Sequence, residues 1–117
     1  MFYKHVKESF EESMKLKDET GECCYDFPKD ELPEGVIMGM DHLSVGYDPA
    51  AEHTHDEEYE IFYYTKGEAS EYYINGKKFI VKEGDFLVIK PGEKHHPGKV
   101  IDPQGVQRLR IKIKVNR

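Results

Sequence analysis

From Val36 to its C terminus the sequence divides into short apolar segments separated by turn residues at regular intervals. Asn75-Gly76 provides two residues that tolerate a positive φ, which predicts a two-residue β-hairpin, and Gly84-Asp85 predicts another turn. No segment between the turns has the length or the 3.6-residue periodicity of a helix. Many short strands without intervening helices indicate an antiparallel β-sandwich or barrel. The sequence therefore predicts an all-β fold.

The last of these segments alternates strictly between apolar and basic residues. A period of two predicts a strand with one buried and one exposed face. We expect the apolar set to be buried and the basic set to face solvent, although Arg108 and Arg110 could instead anchor a substrate carboxylate. The apolar set is Leu109, Ile111, Ile113 and Val115, and the basic set is Arg108, Arg110, Lys112 and Lys114.

The N-terminal part of the chain has a different pattern. Val6, Phe10 and Met14 recur every four residues, which predicts a short helix. The stretch Asp18–Gly35 is rich in Asp, Glu, Gly and Pro and is expected to be irregular. The 117 residues suffice for one hydrophobic core. We therefore expect a single domain over 1–117, in which the helical and irregular segment 1–35 packs on a barrel formed by 36–117.

Charge and composition exclude several classes of function. The formal net charge is −6, which argues against nucleic-acid binding and against membrane-surface binding, since both rely on basic patches. No apolar run approaches the roughly 18 residues of a membrane span, and the first residues lack a signal-peptide pattern, so a cytoplasmic location is expected. The adjacent Cys23 and Cys24 cannot crosslink distant parts of the chain. We expect them to be ordinary small side chains, with a redox or ligand role as the alternative.

Four of the six histidines cluster, as His53-Thr54-His55 and His95-His96. Residues two apart on a strand share a face, so His53 and His55 can point at one target. A polar turn after His55 would bring Glu60, at the start of the next strand, to the same place. Imidazoles combined with a carboxylate suit Fe, Mn, Ni, Cu or Zn better than Ca or Mg.

The glycine spacing around these residues resembles the cupin superfamily, in particular its small single-domain (cupin 2 type) members. The segment Gly46–Gly67, with His53, His55 and Glu60, is similar to the first cupin motif, and Gly84–His95 is similar to the second. The resemblance implies a jelly-roll β-barrel that holds one divalent transition-metal ion through His53, His55, Glu60 and His95.

Two departures from the family pattern weaken any transfer of function from a particular subfamily. Lys90 occupies the place where the family usually has Pro, and the Asn that often follows the last histidine is missing. His95 matches the motif spacing, whereas the next residue, His96, should point away from the site.

The strand that begins at Glu60 is expected to line the pocket with one face and to form outer surface with the other. Phe62 and Tyr64 share a face with Glu60 and are either pocket residues or plain barrel core. His96 is a further pocket candidate, with replacement of His95 as a ligand as the alternative. Ile61 and Tyr63 would point outward, and apolar residues there suggest that a second subunit covers them. Cupin relatives are often homodimers, so a homodimer is expected.

Two classes of function remain open from the sequence. The first is a metalloenzyme that acts on a small oxygen-bearing substrate, as a dioxygenase, isomerase or lyase. The second is a non-catalytic module that binds a small molecule such as a sugar or an organic acid. No catalytic acid, base or nucleophile stands out beyond the ligand set, and the fold alone does not choose between the two classes.

Overall fold

The computed structural model describes residues 1–15, 21–47 and 49–115, and these form two antiparallel β-sheets and a short N-terminal helix. One sheet has the strand order β1-β2-β8-β3-β6 and the other has the order β5-β4-β7. The expected antiparallel jelly-roll architecture with a short N-terminal helix is confirmed. The elements are α1 Lys7–Lys15, β1 Glu22–Asp26, a 3-10 turn Lys29–Glu31, β2 Val36–Leu43, β3 Glu58–Lys66, β4 Ser70–Ile74, β5 Lys77–Val81, β6 Phe86–Ile89, β7 His95–Val100 and β8 Val106–Lys114.

The hairpin between β4 and β5 has the turn that its sequence predicts. Asn75 has φ 52° and Gly76 has φ 78°, and Ile74 pairs with Lys77 across the turn. Both turn residues lie in the left-handed region, where Asn and Gly are tolerated better than other residues.

In the stretch Asp18–Gly35, which was expected to be irregular, residues 18–20 lie outside the described residues, and the prediction is wrong for β1. This strand pairs along the edge of β2, with Cys24 opposite Asp41 and Asp26 opposite Gly39. Its inward residues are polar, so it lacks the apolar alternation that identifies a half-buried strand. Strand β2 runs without a break through the polar pair Asp41-His42, which interrupts its apolar residues.

The interior changes from apolar to polar along the axis of β3. The apolar core includes Phe62 and Tyr64 from β3, and the polar end begins at the buried Glu60. The remaining core members come from the other strands and one loop: Leu43, Tyr47, Tyr72, Val81, Ile89, Val100 and Val106. One end of the barrel is therefore closed by packing, and the other end carries charged side chains.

The predicted orientation of β8 is wrong. Arg108 and Arg110 are only 6% and 9% exposed, whereas Ile113, on the opposite face, is 37% exposed. The strand alternates as expected, but its basic face is the one turned inward. Inward arginines are tolerated because Asp41, on the neighbouring strand β2, accepts hydrogen bonds from both.

Helix α1 lies outside the barrel and contacts β1. Its Phe10 is buried, and its Met14 Sδ accepts a hydrogen bond of 3.7 Å from Gln107 Nε2 of β8. Within the described ranges, no helix is long and apolar enough to cross a membrane.

Candidate metal centre

The backbone places His53 and His95 side by side. His53 N donates to His95 O over 3.0 Å, and His95 N donates to His53 O over 2.9 Å, so the two residues form an isolated antiparallel bridge. Gly92 N also donates to His55 O over 2.9 Å. These bonds join the loop before β3 to the start of β7, two segments that are far apart in the sequence.

The three histidine rings and the Glu60 carboxylate converge at the polar end of the barrel. The ring centroids of His53, His55 and His95 lie 4.2–5.0 Å apart, and one nitrogen from each ring lies within 4.8 Å of the others. Glu60 Oε2 is 3.8 Å from His55 Nε2, and Glu60 Oε1 is 3.8 Å from His95 Nε2. Two nitrogen ligands of one zinc ion are at most about 4.2 Å apart, twice the bond length. Both 3.8 Å contacts of Glu60 fall within that limit, and the 4.8 Å bound on the histidine nitrogens lies close to it, so a small adjustment of the side chains would bring all four onto one ion.

The contacts of the Nδ1 atoms determine which nitrogen of each ring carries the proton and which has a free lone pair. His53 Nδ1 is 2.8 Å from Ala51 O, and His95 Nδ1 is 2.9 Å from Glu93 O. A carbonyl oxygen can only accept, so Nδ1 carries the proton in both rings and the Nε2 lone pair is left free. His55 Nδ1 lies 3.4 Å from the carboxylate of Glu58, which favours the same tautomer.

The side chain of His95 supplies the test of whether these residues fit a metal ion. Its Nε2 is buried and has no hydrogen-bond partner among the described residues. An unpaired buried polar atom costs free energy, and a metal ion at this point would remove the cost. Burial also lowers the pKa of His95, which keeps the ring neutral and its lone pair available. The donor set and its geometry therefore fit a divalent transition metal.

Two further charged groups touch this cluster, and neither was predicted from the sequence. Lys112 of β8 pairs with Glu60 across the sheet, and its Nζ lies 3.4 Å from Glu60 Oε2. Glu58 begins β3 and contacts His55 as described. The signal for Glu58 was present in the sequence, because it is two residues before Glu60 and shares its strand face.

A cavity of about 330 Å³ opens beside this cluster and extends into the barrel. Its lining includes His53, Glu60 and Phe62, together with Arg108 and Arg110. The other two pocket candidates that the sequence suggested occupy different places, because of where their strands point them. Tyr64 is fully buried in the apolar core, and the ring of His96 stacks on Tyr73 at a centroid distance of 4.5 Å.

Charged side chains form a buried network in the cavity wall. The carboxylate of Asp41, which is 0% exposed, accepts from Arg108 Nε and from Arg110 Nε, each over 3.0 Å. Arg110 Nη2 also donates to Asp26, and the guanidinium of Arg108 lies 3.8 Å above the centre of the Phe62 ring. Asp41 was not identified from the sequence, because its two partners lie more than sixty residues away on β8.

Two other groups in the cavity wall, the thiol of Cys24 and the hydroxyl of Tyr72, remain protonated at neutral pH. Burial, reinforced by Asp41 and Glu22, raises the pKa of the Cys24 thiol, which donates to Glu22 Oε1 over 3.1 Å. Burial and the charge of Glu60 raise the pKa of the Tyr72 hydroxyl. Both groups therefore stay protonated, and Cys24 is not an activated nucleophile.

Comparisons with known proteins agree with this geometry. Residues 40–102, more than half of the chain, match the family model of the cupin domain. No curated protein sequence matches the chain.

Several solved structures share the fold. The cupin domain of Cnp3 from Schizosaccharomyces pombe has a TM-score of 0.69 at 14% identity; the match covers 80% of this chain and 64% of that one. KdgF from Halomonas sp. has a TM-score of 0.70 at 16% identity over 86% of this chain and 84% of that chain. A predicted oxalate decarboxylase from Thermotoga maritima has a TM-score of 0.69 at 22% identity over 80% and 79% of the two chains.

Identities this low show a common fold and do not carry a common activity. The family model places the chain in the cupin domain family, and the solved structures agree with it in fold.

Proposed function

We propose that the protein binds one divalent transition-metal ion through His53, His55, Glu60 and His95. The observation that carries the proposal is the buried, unpartnered Nε2 of His95, which faces the other three side chains. Three neutral imidazoles and one carboxylate would leave a divalent ion with a net charge of about +1. Such a charge attracts an oxygen-bearing ligand from the adjoining cavity.

We further propose that the protein is a metalloenzyme for a small oxygen-bearing substrate, of the dioxygenase, isomerase or lyase type. The bound ion would polarise an oxygen of the substrate or of water. The cavity of about 330 Å³ lies at the lower end of the range for ligand pockets, which supports a small substrate. The protein's own residues would orient that substrate, with Phe62 as one wall and the Arg108–Asp41 pair as a charged wall.

The metal proposal is tested by elemental analysis of protein purified without oxygen. We expect about one transition-metal ion per chain in the wild type and a loss of most of it in His95→Ala. His96→Ala is the matched control, because this neighbouring ring stacks on Tyr73 and should keep the metal. A wild type that holds no metal after reconstitution, or a His95→Ala variant with full metal content, would disprove the site.

A non-catalytic binding module is the second candidate function. The high pKa values of Cys24 and Tyr72 favour it, since neither group can act as a base at neutral pH. The two functions differ in what happens to a ligand that binds with metal-dependent affinity. An enzyme converts the ligand and loses turnover in His55→Ala, whereas a binding module returns the ligand unchanged.

We also propose that the protein is a homodimer. Tyr63 and Phe86 are 46% and 67% exposed on the outer face of the five-stranded sheet, and they lie opposite each other on neighbouring strands. Exposed apolar side chains in contact with one another mark an interaction surface more strongly than scattered ones.

A further inference from the structure

The lining of the cavity beside the proposed metal centre includes two buried arginines and two buried carboxylates, Asp41 and Glu60. Glu60 is one of the proposed metal ligands and has Lys112 Nζ 3.4 Å away, so it does not offset the charge of the arginines. Arg108 and Arg110 are both nearly fully buried, and Asp41 is the fully buried carboxylate that they share. The other partner of Arg110, Asp26, has a side chain that is 62% exposed, so solvent screens its charge. The buried trio therefore keeps a net charge of about +1, and an uncompensated buried charge is costly.

In both arginines the atom that donates to Asp41 is Nε. The guanidinium of Arg108 donates from Nε to Asp41 and, over a long 3.4 Å, from Nη1 to the Tyr64 hydroxyl; these bonds use two of its five N–H groups. A guanidinium edge with unused donors matches the two oxygens of a carboxylate.

The strand geometry sets the distance between this edge and the proposed metal ligands. The Arg108 guanidinium lies above the ring of Phe62, which follows Glu60 by two residues on the same face of β3. Residues two apart on a strand are separated by about 6.8 Å. A ligand that reaches both points therefore needs a chain of only a few atoms between its two polar ends.

We propose that the natural ligand is a small carboxylate anion, held at its carboxylate by Arg108 and presenting an oxygen at its other end to the metal ion. This inference rests on the proposed metal site and narrows the substrate class. A neutral sugar would leave the buried positive charge uncompensated. A dianionic phosphate would meet about twice the repulsion that a monoanion meets from the lining carboxylates Glu22, Asp26 and Asp41.

The test measures binding of matched probes to protein loaded with one equivalent of Zn²⁺, which is redox-inert and leaves the probes intact. The probes are β-hydroxypropionate, γ-hydroxybutyrate and δ-hydroxyvalerate, each compared with its neutral carboxamide by calorimetric titration. For the best of the three acids we expect at least about tenfold tighter binding than for its amide. In Arg108→Gln we expect this preference to fall to about one. Lys114→Gln removes a positive charge from an exposed position of the same strand and should keep the preference.

The wild-type comparison of acid and amide needs no variant, so an absent preference overturns the inference even where Arg108→Gln fails to fold. Arg108→Lys keeps the charge but loses the planar fork, and it should show an intermediate preference. Equal binding of acids and amides, no binding of any acid, an acid preference that survives in folded Arg108→Gln, or tighter binding of inorganic phosphate would each overturn the inference. Zinc content, measured on the same samples, reports separately on the metal site. Absence of zinc would refute both proposals, whereas bound zinc without acid preference would refute only this one.

Discussion

Each of the three clustered histidines is oriented by an acceptor on its Nδ1, and only His55 uses a side chain for this purpose. The carbonyl oxygens that hold His53 and His95 belong to the backbone, so no substitution can remove them directly. The carboxylate of Glu58, at 3.4 Å from His55 Nδ1, can be changed without touching a proposed ligand. It therefore gives the clearest test of how ring orientation affects metal binding.

We expect Glu58→Gln to weaken metal binding by about tenfold, since the amide keeps an acceptor oxygen but loses the charge that favours the Nδ1–H tautomer. Metal affinity can be measured by competition with a chromogenic chelator. Glu57→Gln, at the neighbouring exposed position, makes the same change of charge and should bind metal like the wild type. Equal affinities for the two variants would show that Glu58 has no orienting role.

At the residue scale, the local spacing of His53, His55 and Glu60 predicted that these three side chains would meet, and the resemblance to the cupin motifs added His95. The structure brings the four side chains together. Asp41 was not predicted, because a lone Asp within an apolar segment does not reveal an arginine partner on a distant strand. Whether the four converging side chains hold a metal ion stays a prediction.

At the scale of elements, β8 shows that alternation alone does not predict which face of a strand is buried. A period of two establishes that the two faces differ, and burial of the apolar face is then the usual assumption. Here the inward face carries Arg108 and Arg110, and the apolar face points outward. The hairpin at Asn75-Gly76 was predicted correctly, because its geometry depends on the two turn residues alone.

The carboxylate of Asp102 joins two loops at the end of the barrel opposite Glu60, the loop after β3 and the loop between β7 and β8. Asp102, between β7 and β8, accepts from Gln104 N over 2.8 Å and from Glu68 N over 2.7 Å. These backbone bonds lower the pKa of Asp102 below its ordinary value of 3.8. A lowered pKa of a carboxyl group stabilises the folded state above the unfolded-state pKa, and the benefit is lost as the pH falls through the folded-state pKa.

We therefore expect Asp102→Asn to unfold at a lower temperature than the wild type at pH 7, and the difference to narrow as the pH falls below about 4. Thermal unfolding followed by circular dichroism over this pH range measures both quantities. Asp30→Asn makes the same change at an exposed position of the 3-10 turn and should match the wild type throughout. A deficit of Asp102→Asn that stays constant with pH would mean that the carboxylate charge plays no part.

At the scale of the whole molecule, the inverted β8 leaves the outer face of the larger sheet apolar. Residues opposite one another on β6, β3 and β8 form a continuous surface across three strands. Its members are Phe86 and Val88 from β6, Ile61 and Tyr63 from β3, and Leu109 and Ile111 from β8. The edge strand β6 presents Phe86 and Val88 with 67% and 38% of their surface exposed. An exposed apolar edge strand promotes association unless another chain covers it.

This surface accounts for the expected homodimer, and Phe86→Glu tests it by placing a charge at the most exposed member. We expect the wild type to have twice the 13.6 kDa chain mass in analytical ultracentrifugation and Phe86→Glu to sediment as a monomer. Ile80→Glu is the matched control, because Ile80 is 53% exposed but lies on β5 of the other sheet. A stable interface buries about 800 Å² on each partner, so one central charge that must be desolvated should suffice to weaken it. A monomeric wild type, or a dimer disrupted equally by both substitutions, would show that the apolar face is not a specific dimer interface.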